Sequence, residues 1–171
     1  MANILTVFYS LKGETIAPLM RIVHLEKGHT AVAAEFIQNA VGGDLFEIET
    51  VKTYLEDHMK MIYEEKDELE KGIRPELKQY PEIDQYDTIF LCYPNWWDTL
   101  PMPVVSFLEH YNWNGKRIIP FCTSGGGGLG RSVTDLEKIC VGAEVAKGGH
   151  VPGHKVEKSE KKIADWAKKT L

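Results

Sequence analysis

Cysteine is scarce in this chain, and its spacing offers nothing to a metal. The three cysteines, Cys92, Cys122 and Cys140, form no Cys-x-x-Cys pair and no Cys/His cluster of zinc spacing. Cys92 and Cys122 stand inside apolar runs and read as buried free thiols, which suits a reducing, cytoplasmic setting. Basic charge is also short. Lys and Arg number 20 against 25 Asp and Glu, a formal net charge of -5. Residues 1–110 carry 9 basic and 19 acidic side chains, whereas residues 111–171 carry 11 and 6. Such an acidic body offers no footprint for nucleic acid. It leaves room for one small phosphorylated ligand, because backbone N–H groups can hold a phosphate. No basic stretch precedes the apolar run that ends at Tyr9, and that run is only a strand long. Neither a signal peptide nor a membrane span is expected. No Gly-x-Gly-x-x-Gly opens the first helix, as a dinucleotide fold requires. A magnesium-binding receiver domain would place acidic residues after the first strand, where Ser10 and Lys12 stand.

What is present is alternation. The chain is 171 residues long and 43% hydrophobic, enough for one cored domain spanning residues 1–171. Residues 4–9 are apolar and rich in β-formers, a buried first strand. Residues 11–29, punctuated by Gly13, Pro18 and Gly28, read as an irregular extended insertion. Thr30 is placed to cap a helix whose apolar stripe is Val32, Phe36 and Ile37, stopped at Gly42-Gly43. Residues 44–49 alternate polar and apolar, the pattern of an edge strand. In residues 55–71, Leu55, Met59, Ile62 and Leu69 predict one buried helical stripe and a solvated charged face. Residues 88–93 and 117–122 read as buried strands, although Pro120 removes a ladder donor from the second. Helices are expected over 103–110, with Val104, Val105 and Leu108 inward, and over 132–139. Residues 144–147 read as a short last strand. A closing helix from about residue 159 turns Ile163, Trp166 and Ala167 inward. Strands alternating with helices imply an α/β fold with a doubly wound, mostly parallel sheet. In such sheets ligands bind outside the carboxyl ends of the strands.

Three segments fall at that edge. The first is Ser10 with Lys27-Gly28-His29-Thr30, where Gly28 permits close approach and the following turn offers free N–H groups to a phosphate. A rival tetrapeptide, Lys12-Gly13-Glu14-Thr15, does not run directly into a helix. Thr30 as a plain cap is the competing account. The second is Tyr93-Pro94-Asn95-Trp96-Trp97-Asp98, polar backbone beside two indoles, which suits a flat ring; core or partner packing is the alternative. The third is Thr123-Ser124-Gly125-Gly126-Gly127-Gly128-Leu129-Gly130, where side chains are given up. Either a ligand passes close to the backbone there or the glycines form a flexible connection.

Taken together, Ser10, Lys27 to Thr30, Tyr93 to Trp97 and Pro120 to Ser132 resemble the flavodoxin family, and within it the bacterial flavodoxin-like proteins with a Tyr-Pro-Asn-Trp-Trp segment. The resemblance spans nearly the whole chain. It implies a five-stranded parallel sheet in the order 2-1-3-4-5 and FMN as cofactor. It implies that Thr30 and its neighbours hold the phosphate, and Ser10, Lys12, Gly28, His29, Thr30 and Ala31 are the cofactor-binding candidates of this first segment. It places the isoalloxazine between Pro94, Asn95, Trp96, Trp97 and the run Thr123, Ser124, Gly125, Gly126, Gly127, Gly128. The departure lies in residues 11–29, which separate Ser10 from Thr30 where family members pass through a short Ser/Thr-rich turn. Three functions are compatible. One is an electron carrier between a redox partner protein or small-molecule donor and an acceptor. Another is an FMN-dependent NAD(P)H or quinone reductase, and the last a flavin-free interaction module. Neither nucleic acid nor membrane is an expected partner. An insertion lying over the cofactor as a lid would point to substrate selection; an exposed ring edge would point to a protein partner.

Overall fold

The computed structural model describes residues 2–171. Five strands open or follow helices in turn: β1 (Ile4–Phe8), β4 (Asp44–Glu47), β5 (Thr88–Pro94), β6 (Arg117–Ser124) and the short β7 (Glu144–Val145). A further strand, β8 (Gly149–Pro152), joins the same sheet. The strand order is β4-β1-β5-β6, with both β7 and β8 beside β6, and every pairing is parallel. The sheet therefore has six strands rather than the expected five. β7 pairs Arg117 and Ile118, and β8 pairs Phe121 to Ser124. The interruption falls beside Pro120. Ile118 accepts a hydrogen bond from Ala146 on that side, so Pro120, two residues on, turns its missing N–H toward the same neighbour. The proline that sat awkwardly in the sequence marks where the outer strand breaks.

Helices α1 (His29–Val41) and α5 (Glu160–Thr170) cover one face; α2 (His58–Lys71), α3 (Met102–Glu109) and α4 (Ser132–Ile139) lie with the other. Alternate strand residues divide between the two. Leu5, Val7, Ile89, Leu91 and Tyr93 join Phe107 and Trp113 in one core cluster. Ile4, Phe8, Phe90 and Cys92 join Ala34, Ile37, Ile163 and Ala167 in the other. This period-two division is what a sheet buried on both faces requires. The expected inward face of α3 is buried, as are Ile163 and Ala167 of α5, while Trp166 is half-buried against the same core; all three cysteines are free and buried.

Two further expectations fail. Residues 11–29 are not irregular: β2 (Gly13–Ala17) and β3 (Arg21–Leu25) pair antiparallel as a hairpin, turned at Pro18 to Met20, where Leu19 and Met20 have positive φ. Ile16 faces Ile22 across the hairpin and Thr15 faces Val23, a pairing that no alternation of apolar residues along either strand announces. The buried side of α2 also differs. Leu55 and Met59 are about half exposed, while the fully buried residues of α2 are Glu65 and Glu68. Among the described residues, no helix is long and apolar enough to cross a membrane.

Candidate functional site

A cavity of about 710 Å³ lies beyond the carboxyl ends of β1, β5 and β6. That is within the roughly 300–1,000 Å³ of small-molecule sites. One wall is α1 and the strand-end loops: Ser10, His29, Thr30, Pro94, Asn95, Trp96, Thr123, Ser124 and Gly125 all border it. The opposite wall is the hairpin with His58, Met61, Ile62 and Glu65 of α2.

At the α1 wall, the helix begins two residues earlier than expected. Gly28 is its N-cap, and Thr30 does not cap. Ser10 takes over part of that role: its Oγ accepts the Ala31 N–H at 3.1 Å. The Val32 N–H turns back to the Gly28 carbonyl. Of the first-turn donors this leaves those of His29 and Thr30, both residues of the cavity wall. A Cβ on Gly28 would fall 2.1 Å from Ser10 Oγ and 2.3 Å from the Leu11 carbonyl oxygen. Only glycine lets the two segments meet. The Thr30 hydroxyl is buried against Thr123, Oγ1 to Oγ1 2.8 Å, and so ties α1 to the end of β6. Burial holds the His29 imidazole below its usual range, with His154 adding to this and Glu157 opposing it.

The two tryptophans part company. Trp96 is buried and stands edge-on to both Tyr9 and Tyr54, each at 5.4 Å between ring centres. Trp97 and Asp98 adopt left-handed backbone, φ 49° and 71°. This turns Trp97 outward, where its indole N–H donates to the Ile62 carbonyl at 2.9 Å beneath the Lys66 ammonium. Trp97 lies outside the cavity wall. The glycine loop folds on Ser124, whose Oγ accepts from the N–H groups of Gly126 and Gly128 and meets His150 Nε2 at 2.9 Å. Asn95 Nδ2 donates to the Gly128 carbonyl at 2.8 Å, which joins the second and third loops. Gly126, Gly127 and Gly128 shape that loop from behind the wall. Lys12 is exposed, outside the wall, and acts electrostatically on Glu47.

Sequence reasoning missed the α2 wall. Glu65 falls at helical spacing between Met61 and Leu69, so the stripe that carries those two inward carries it as well. Glu68 is held by Lys52 Nζ at 2.5 Å and by the Tyr54 hydroxyl at 2.7 Å. Glu65 is 4% exposed, and its Oε1 has no partner. Burial, with the charges of Glu68 and Glu64, pushes its pKa up to about 9. His58 Nδ1 and the Tyr9 hydroxyl are likewise buried without a partner. Glu14 of the hairpin accepts the His58 N–H, which fastens β2 to the start of α2. Two unpaired first-turn donors, nearby hydroxyls, an indole edge and orphaned polar atoms around one cavity are a donor set that fits a flat ring carrying a phosphate.

These features define a doubly wound α/β protein with its ligand cavity at the strand ends. The sequence profile of the family described as flavodoxin matches residues 22–170, and the chain belongs to the flavodoxin family. It is similar in structure to a candidate flavoprotein from Bacteroides eggerthii, at 30% identity and TM-score 0.78, covering 99% of this chain and 98% of the other. A candidate flavoprotein from Bacteroides uniformis matches at 25% identity and TM-score 0.76, covering 98% of each. A flavoprotein from Lactobacillus acidophilus, solved in complex with FMN, shares the fold at 20% identity and TM-score 0.66, covering 92% of this chain and 98% of that one. No curated protein matches.

Proposed function

We propose that the cavity binds FMN and that the protein moves electrons through it as a carrier. The observation that carries this is the convergence of the α1 N-terminus, the loop after β5 and the loop after β6 on one cavity. A family relative crystallised with FMN supports it. The bound flavin supplies the redox chemistry, and the protein supplies position and electrostatics. In this reading the N–H groups of His29 and Thr30, with the hydroxyls of Ser10 and Thr30, hold the phosphate. Gly28 and Ala31 keep that turn close to Ser10. Pro94, Asn95 and Trp96 border the ring on one side, with Thr123, Ser124 and Gly125 on the other. Lys12 and Trp97 take no part in binding.

The purified protein is expected to carry, or take up, a flavin with its visible absorbance. A colourless protein that takes up neither FMN nor riboflavin would leave an interaction module of the same fold. Thr30→Ala is expected to weaken FMN more than riboflavin, because only FMN bears the phosphate; equal losses reject the phosphate assignment.

One observation favours a second reading, an FMN-dependent NAD(P)H or quinone reductase. The hairpin contributes Gly13 to Met20 to the cavity wall, where an open carrier would leave the ring edge bare. Anaerobic titration with NADH and NADPH decides between the two. Rapid direct reduction of the bound flavin favours the reductase; reduction only through an added reductase favours the carrier.

A further inference from the structure

We propose that Glu65 serves the cavity as an uncharged hydrogen-bond donor to a carbonyl oxygen of a flat conjugated molecule bound there. That carbonyl belongs either to the flavin ring or to a carbonyl-bearing electron acceptor laid against it. The inference deepens the flavin reading above and rests on it.

Two carboxyl groups of α2 are almost fully buried, and they are treated differently. Glu68 has a cation and a hydroxyl on its two oxygens. The Lys52 ammonium also pairs with Glu64 at 2.5 Å. No salt bridge among the described residues reaches Glu65; its Oε1 is buried without a partner, and the residue borders the cavity. A buried carboxylate without cation or donor is too costly to persist, so the group keeps its proton. A protonated carboxyl has one O–H to give. On that wall Met61 and Ile62, one helical turn before it, offer apolar surface beside it, which suits a flat neutral ring. Glu14 stands on the same wall, so an anionic partner is disfavoured and a neutral carbonyl favoured. Burial is the main reason that the proton stays; the negative charges of Glu64 and Glu68 on the same helix add to it. The other titratable groups around it are Tyr9 after β1, Tyr54 and Lys52 ahead of α2, Glu14 of β2 and His58 at the start of α2. Of these Lys52 is engaged by Glu64 and Glu68, and no salt bridge joins His58 to Glu65.

Carboxyl-labelled glutamate NMR tests this on the whole protein, with Glu65→Gln assigning the resonance by its disappearance. In the flavin-free protein the Glu65 signal is expected to titrate in the alkaline range, apart from the other glutamates. A ligand that accepts a hydrogen bond from the protonated carboxyl must raise that midpoint further. Riboflavin added to the flavin-free protein, or tetramethyl-para-benzoquinone added to the flavin-loaded oxidised protein, is expected to raise it by about one unit. The same ligand then binds about tenfold more weakly once pH has passed through both midpoints. Glu65→Gln, which keeps a donor but cannot titrate, retains binding and loses this pH dependence. A response to riboflavin assigns the carbonyl to the flavin; a response to the quinone alone assigns it to a second molecule. A Glu65 signal that titrates with the ordinary glutamates, or that neither ligand moves upward, overturns the proposal. Failure of riboflavin to bind at all overturns the flavin reading instead, and the quinone added to the flavin-free protein then decides Glu65 by the same shift.

Discussion

On the α1 wall of the cavity, the hydroxyls and the Asn95 amide are already paired, mostly with backbone groups. Ser10 accepts from Ala31, Thr30 meets Thr123, Asn95 reaches Gly128, and Ser124 gathers two glycine N–H groups and His150. On the α2 wall, Glu65 and His58 hold buried atoms with no partner. Both walls are close-packed and both border the same space. They differ in how their hydroxyl, amide and carboxyl side chains are satisfied: on the first by the fold itself, on the second only from outside it. Paired groups fix geometry before a ligand arrives, which lowers the entropy lost on binding. Unpaired buried groups cost stability until a partner of matching chemistry supplies the missing bond. A site with one wall of each kind is pre-shaped on one side and selective on the other.

The largest effect is expected where the walls meet. Trp96 touches Tyr9 on one side and Tyr54, the partner of Glu68, on the other. Trp96→Ala should cost about 4 kcal/mol in urea unfolding. A cost below about 1 kcal/mol would mean that the walls are held independently. Gly28→Ala tests the pre-shaped wall alone. Its new Cβ has no room beside Ser10 and Leu11, and a loss of about 3 kcal/mol is expected in the same measurement.

Glu65→Gln tests the unsatisfied wall, with a sign that depends on pH. The folded protein raises the Glu65 pKa from 4.5 to about 9, so it binds a proton that the unfolded chain releases. Wild-type stability therefore falls from this group as pH rises above the unfolded value, until pH passes the folded one. The variant should be more stable than wild type by about 2 kcal/mol at roughly pH 6, and by almost nothing at about pH 4. An equal difference at both pH values would show that the carboxyl is not held neutral. The smallest effect is expected at Trp97, which is 40% exposed and holds one hydrogen bond to α2. Trp97→Ala should cost about 0.5–1 kcal/mol and leave flavin affinity unchanged. A tenfold weaker flavin complex would return Trp97 to the ring site.

Legibility followed how local each signal was. Glycine and apolar alternation placed the strands and the helices near their observed bounds, because burial on both faces leaves continuous apolar runs. The joint position of Ser10, Thr30, Asn95 and Ser124 was also readable, since parallel topology sends all their loops to one edge. The hairpin at residues 13–25 was not, because its strands flank a Pro18 turn and are only partly buried. Glu65 was invisible for a different reason. A glutamate in a densely charged helix looks solvated, and only the packing of α2 against Tyr9, Tyr54 and the cavity removes it from water.

By itself the sequence determined the alternation of β and α, the sheet buried on both faces and the three strand-end loops, since these depend on patterns a few residues long. It also carried the break at Pro120, although its meaning needed the neighbouring strand. Only the tertiary structure decided which tryptophan turns inward, which hydroxyls pair and which carboxyl is left without a cation. Those outcomes depend on what lies across space from each group. Solvation and charge pairing are properties of the surroundings rather than of the residue.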